Sequence, residues 1–76
     1  MNESKVYNLG NEINFVTDNP ETINAIEAAE TELLRKAEGN EDPKFKKYYD
    51  RIKNDPTFRT KKVVSYVLNR KKKDDK

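Results

Sequence analysis

The chain contains no cysteine and no histidine. Without cysteine there is no disulfide framework, thiol nucleophile or thiolate metal site, and the redox compartment leaves no mark on the sequence. Without histidine the usual zinc sites and the Ser-His and Cys-His nucleophile pairs are also excluded, as is the side chain that most often acts as a base near neutral pH. Glycine is scarce: Gly10 and Gly39 are the only two, so no glycine-rich loop can cradle a phosphate, and no Asp-x-Asp-x-Asp-Gly calcium loop is present. No stretch approaches the roughly 20 apolar residues that span a bilayer, and the N-terminus has no basic region followed by an apolar one. Together these absences predict no catalytic residues, no metal, no cofactor and no small-molecule substrate, in a soluble, intracellular protein with no membrane partner.

What the chain does have is charge. Of its 76 residues 39% are charged and 33% apolar, which is hydrophilic for a globular domain but leaves enough Ile, Leu, Val, Phe and Tyr to fold. One domain of this length buries only about 60% of the surface its unfolded form exposes, so the predicted core is small. The net charge of +2 hides a segregation: residues 1–38 carry eight acidic and three basic groups (net −5), and residues 39–76 thirteen basic and six acidic (net +7). Nine asparagines and twelve lysines, both encoded by AT-rich codons, suit an AT-rich genome such as that of a phage or mobile element. For the same reason the lysines argue less strongly for a basic partner than their number suggests.

The three prolines organise the chain, because each follows Asp or Asn: Asn19-Pro20, Asp42-Pro43 and Asp55-Pro56. Proline suits the first helical turn, where its missing N–H has no partner anyway, and the residue before it can cap the free amides. The pattern predicts three helices, at about 20–38, 43–54 and 56–71. The first has an apolar stripe of Ile23, Ile26, Ala29, Leu33, Leu34 and Ala37, and Gly39-Asn40 suits a left-handed C-terminal cap. Glu30 falls inside that stripe, either solvated at its margin or meeting a Lys or Arg of the basic half or of a partner. The second presents Phe45, Tyr48, Tyr49 and Ile52 at helical spacing, which predicts an aromatic core face. The third buries Val63, Val64, Val67 and Leu68, although the β-branched run over 63–68 also permits a strand. Phe58 is expected to plug the junction with the second helix.

The N-terminal residues 1–18 read as an extended arm or short β-hairpin. A two-residue turn at Gly10-Asn11 would put Val6, Ile13 and Phe15 on one face. The fold class is thus mainly α: a small three-helix domain over 19–71 with an N-terminal arm or hairpin, followed by a solvated basic tail over 72–76.

One surface patch has a chemical character. With the valine stripe buried, Arg59, Lys62, Tyr66, Asn69, Arg70 and Lys73 share the outward face of the third helix, and these residue types serve both interface anchoring and phosphate contact. Between Lys44 and Lys73 there are twelve basic and two acidic residues, and the two closely spaced helices resemble a helix-turn-helix in layout. The first helix, however, carries Glu21, Glu27, Glu30, Glu32 and Glu38, which would repel a polyanion. The reading is a non-enzymatic protein-interaction module of the adaptor, inhibitor or assembly-factor kind. It uses the basic face on a protein partner or in self-association, with Glu27 and Glu30 as a second surface. The alternative uses the basic helical hairpin 43–73 on DNA or RNA.

Overall fold

The computed structural model describes residues 4–74, and their side chains through Arg70. A β-hairpin of β1 (Lys5–Gly10) and β2 (Ile13–Thr17) precedes three helices, α1 (Pro20–Gly39), α2 (Lys46–Asn54) and α3 (Pro56–Asp74). The mainly α domain with a hairpin is thus the observed architecture, and residues 63–68 are helix rather than strand. Helix α3 continues to Asp74, past the expected start of a loose tail at residue 72, while residues 75 and 76 lie outside the described residues.

Each Asx-Pro pair starts a helical segment. The Asn19 side chain accepts from the Glu21 N–H (2.9 Å), that of Asp42 from the Lys44 N–H (2.9 Å) and that of Asp55 from the Phe58 N–H (3.2 Å). These side chains satisfy amides that the first helical turn leaves without partners. After Pro43 the chain makes a 3₁₀ turn over Pro43–Phe45 before α2 begins, with the Lys46 N–H bonded to the Pro43 carbonyl. The second helix therefore starts three residues later than the sequence suggests. Between α2 and α3 only Asp55 intervenes: its N–H closes α2 on the Arg51 carbonyl (2.9 Å) while its side chain opens α3.

The end of α1 differs from expectation. Gly39 has no positive φ, and Asn40 leaves the helix extended at φ −74° and ψ 126°. The Asn40 side chain makes the turn instead, donating to the Asp42 carbonyl (3.0 Å) and accepting from the Asp42 N–H (3.3 Å).

The hairpin register also differs. Its turn is Asn11-Glu12, at φ 51° and 63°, and a bulge interrupts the pairing between Asn8 and Gly10. Val6 consequently pairs with Val16 and Tyr7 with Phe15. A one-residue slip exchanges the faces of a strand, so Tyr7 and Leu9 turn toward the helices beside Phe15, whereas Val6 lies exposed with Val16, and Ile13, expected beside Phe15, is exposed as well. Gly10 has φ +93°, and a Cβ on it would lie 3.3 Å from Thr57 Cγ2, so this end of β1 sits directly on the first turn of α3.

Ile26 of α1 and Val63, Val64 and Val67 of α3 form the buried centre, with Tyr7, Leu9, Phe15, Ala29 and Leu33 packed around it. The Tyr7 hydroxyl is buried there with no hydrogen-bond partner among the described residues. Leu68, expected in the buried stripe, is exposed. The aromatic face of α2 is not core either: Ile52 is fully buried, but Phe45 is 47% and Tyr48 38% exposed. In α2 Ile52 alone is fully buried, Tyr49 is half-buried, and the rings pack against one another at tilted and edge-to-face angles. Centroid separations are 6.3 Å for Phe45 and Tyr49, 5.2 Å for Tyr48 and Tyr49, and 5.9 Å for Tyr48 and Phe58. Phe58 does plug the α2–α3 junction, with the Arg51 guanidinium 4.0 Å above its ring.

Candidate interaction groove between α1 and α3

Helices α1 and α3 pack along their buried stripes, and beside this contact their side chains line an open groove of about 770 Å³. Its floor is apolar: Ala25, Ala28, Ala29 and Leu33 from α1, with Val63 and Val67 from α3. The alanines keep it open, since Ala25 and Ala28 lie just outside the α1 stripe and are too small to fill the space between the helices. The rims differ in sign. The α1 rim carries Glu21 and Glu32, with Lys36 at one end, and the α3 rim carries Lys62, Tyr66 and Arg70. Tyr48 of α2 also lines the groove, and burial together with neighbouring Tyr49 pushes its phenol above the ordinary value, so it is a neutral donor at physiological pH. Tyr66 is 57% exposed.

Three of the residues singled out from the sequence, Lys62, Tyr66 and Arg70, therefore meet at this groove one helical turn apart. Asn69 is exposed on the same helix but does not line the groove. Lys73 lies within α3 by its backbone, and its side chain falls outside the described residues.

Arg59 does not belong to this surface. Its side chain is only 17% exposed, its Nε donates to Glu30 Oε2 (3.0 Å), and one terminal nitrogen donates to the Ile52 carbonyl (3.0 Å) with a longer contact to that of Lys53 (3.5 Å). The outward placement is corrected by the helical period itself, because 59, 63 and 67 are four apart and share the buried face. The same bonds supply the partner for Glu30. Glu27 instead faces the hairpin, 3.5 Å from Lys5 Nζ. Glu30 is thus engaged within the molecule, whereas Glu27 stays exposed beside the hairpin.

Of the groove residues, the sequence did not single out Ala25, Ala28 or Lys36, offered Glu21 and Glu32 only as an acidic cluster, and assigned Tyr48 to the core. A signal was present in two small residues at i and i+3 beside a hydrophobic stripe, but it gains meaning only once α3 is known to lie alongside. Among the described residues no group of three or more carboxylates is placed to hold a metal ion, and no helix is long and apolar enough to cross a membrane.

The two helices of the helix-turn-helix layout are present, joined by Asp55 alone. Phe58 and Arg59, in the first turn of the would-be recognition helix, are engaged with α2 and α1. Part of the α2 charge is also paired, Lys46 with Asp50 at 2.9 Å and Arg51 with Asp55 at 3.5 Å. Comparison with known protein families, with curated proteins and with solved structures gives no match for this chain.

Proposed function

We propose that this chain is a non-enzymatic protein-interaction module whose α1–α3 groove receives an apolar helical surface of a protein. One observation carries the reading: an open apolar floor lies between rims of opposite sign, with an exposed tyrosine standing on one of them. Buried aromatic anchors in apolar hollows dominate protein interfaces, and flanking charges set orientation and partner choice. A nucleic acid fits this groove less well. Lys62, Tyr66 and Arg70 suit phosphates and bases, but Glu21 and Glu32 on the facing rim would repel the same backbone.

The test uses isotope-labelled protein and two kinds of probe. One is an amphipathic helical peptide with a leucine stripe flanked by lysine on one side and glutamate on the other. The second is labelled duplex and single-stranded DNA and RNA at about 50 and 200 mM salt. The expected result is that the peptide shifts the amides of Ala25, Ala28 and Tyr66, that Tyr66→Ala abolishes the shifts, and that the nucleic acids do not bind. Nucleic-acid binding that collapses between the two salts, or a peptide that leaves these amides unmoved, overturns the reading.

A further inference from the structure

The groove face carries both halves of a complementary pair. Tyr66 projects from the α3 rim as a knob, and Ala25 and Ala28 leave a hollow on the α1 side of the same face. The charges follow the same rule: Glu21 and Glu32 stand on one rim, with Lys36 at its end, and Lys62 and Arg70 on the other. Over their full lengths α1 holds five carboxylates against two cations, and α3 seven cations against one carboxylate. A surface that holds knob with hollow and acid with base is complementary to a copy of itself turned by a two-fold rotation, the symmetry of an isologous dimer.

We infer that the occupant of the groove is a second copy of this chain, related by a two-fold axis, so that α1 of each protomer packs on α3 of its partner. This rests on the reading of the groove as a protein-docking site and names its partner. In this arrangement the acidic rim of each copy meets the basic rim of the other twice. Each Tyr66 ring enters the other copy's alanine hollow, where burial displaces water from the ring and from the apolar floor. The chain's small core is consistent with a need for added apolar burial. Two copies placed with like helices together would set acid against acid and base against base, which selects the crossed pairing.

The test is sedimentation velocity from about 10 µM to about 1 mM protein, a range that spans weak to moderate self-association. Five samples accompany the natural chain: Tyr66→Ala, the acidic-rim reversal Glu21→Lys/Glu32→Lys, the basic-rim reversal Lys62→Glu/Arg70→Glu, an equimolar mixture of the two reversals, and that mixture with Tyr66→Ala in both members. All five substituted side chains are exposed, and thermal melts verify that each variant folds. The natural chain is expected to double in mass across the range and Tyr66→Ala to associate at least about tenfold more weakly. Each reversal alone should be monomeric, because like charges would meet in both rim pairs. The mixture should recover a one-to-one dimer, because both rim pairs are then again opposite, and adding Tyr66→Ala to both members should abolish that recovery, which separates docking from general attraction between oppositely charged proteins. A natural chain that remains monomeric at the highest concentration, a mixture no stronger than its components, or recovery indifferent to Tyr66 overturns the inference. If the chain stays monomeric yet still binds the striped peptide, only the choice of partner is wrong. If peptide binding is also absent, the docking site itself is wrong.

Discussion

At Arg59 a single guanidinium joins three helices, because it sits on α3, pairs with Glu30 of α1 and donates to carbonyls at the end of α2. Replacing it with alanine leaves a half-buried carboxylate and a helix-end carbonyl without a donor. Arg59→Ala should therefore lower stability by about 2 kcal/mol, with Arg59→Lys recovering little because one ammonium cannot reproduce the planar fork. Urea denaturation decides the point: a loss below about 0.5 kcal/mol would mean that the network contributes nothing net. A second residue-scale expectation concerns Asp50. The hydrogen bond from Lys46 holds its carboxyl below the ordinary value, against a smaller opposing desolvation and with added help from the charges of Lys46 and Lys53. Since the folded-state value is depressed, the stability this group contributes is present above its unfolded-state value and is lost as pH falls through the folded one. Lys46→Ala should move the Asp50 titration upward when the carboxyl is followed by NMR, and an unmoved titration would remove the assigned cause. Much of this was legible in principle. Arg59 lies four residues before Val63 on the buried stripe, but an arginine within a lysine-rich run reads as surface until its acidic partner is placed opposite. For Glu30, inside its own stripe, the sequence already raised a cationic partner.

At the scale of elements, the Asx-Pro pairs made all three helices readable, because capping and the proline φ act within four residues and need no tertiary context. Features that depend on packing were less readable. The hairpin itself was visible in its alternation, but its register was not, since the bulge beside Leu9 adds one residue and puts Tyr7 rather than Val6 opposite Phe15. Gly10 fixes this end of the hairpin. Gly10→Ala should destabilise by about 1–2 kcal/mol, because φ +93° strains any residue with a Cβ and that carbon would press on Thr57 Cγ2. Thermal melts should show Thr57→Ser relieving only part of the loss, since the backbone strain remains, and an unchanged melting temperature in Gly10→Ala would contradict the tight turn. In α2 the aromatic periodicity was clear, yet how deep a short helix sits depends on its neighbours. Ile52→Ala should cost about 3 kcal/mol and Tyr49→Ala clearly less, as measured by chemical denaturation. The reverse order would restore the aromatic rings to the core.

At the scale of the whole molecule, the segregation of acid from base along the chain becomes a segregation across one groove, because α1 and α3 are brought side by side. The basic rim was legible as the outward face of α3, and its acidic counterpart was legible only as a cluster on α1. That the two flank a single apolar floor follows from how the helices pack, which one-dimensional periodicity does not contain. Association through this face should weaken severalfold as salt rises from about 50 to about 500 mM without being abolished, because screening acts on the rims and not on the apolar floor. Sedimentation in both salts reads this directly, and salt independence would mean that the rims do not take part. The Arg59 junction has one further consequence, for how the molecule comes apart. A side chain that contacts the middle of α1, the last turn of α2 and the first turns of α3 at once couples their opening, so their slowest amides are expected to exchange with solvent at a similar rate. The hairpin, held to α3 mainly through β1, lies outside that bond, so its amides should exchange earlier if this one side chain sets the unit that opens together.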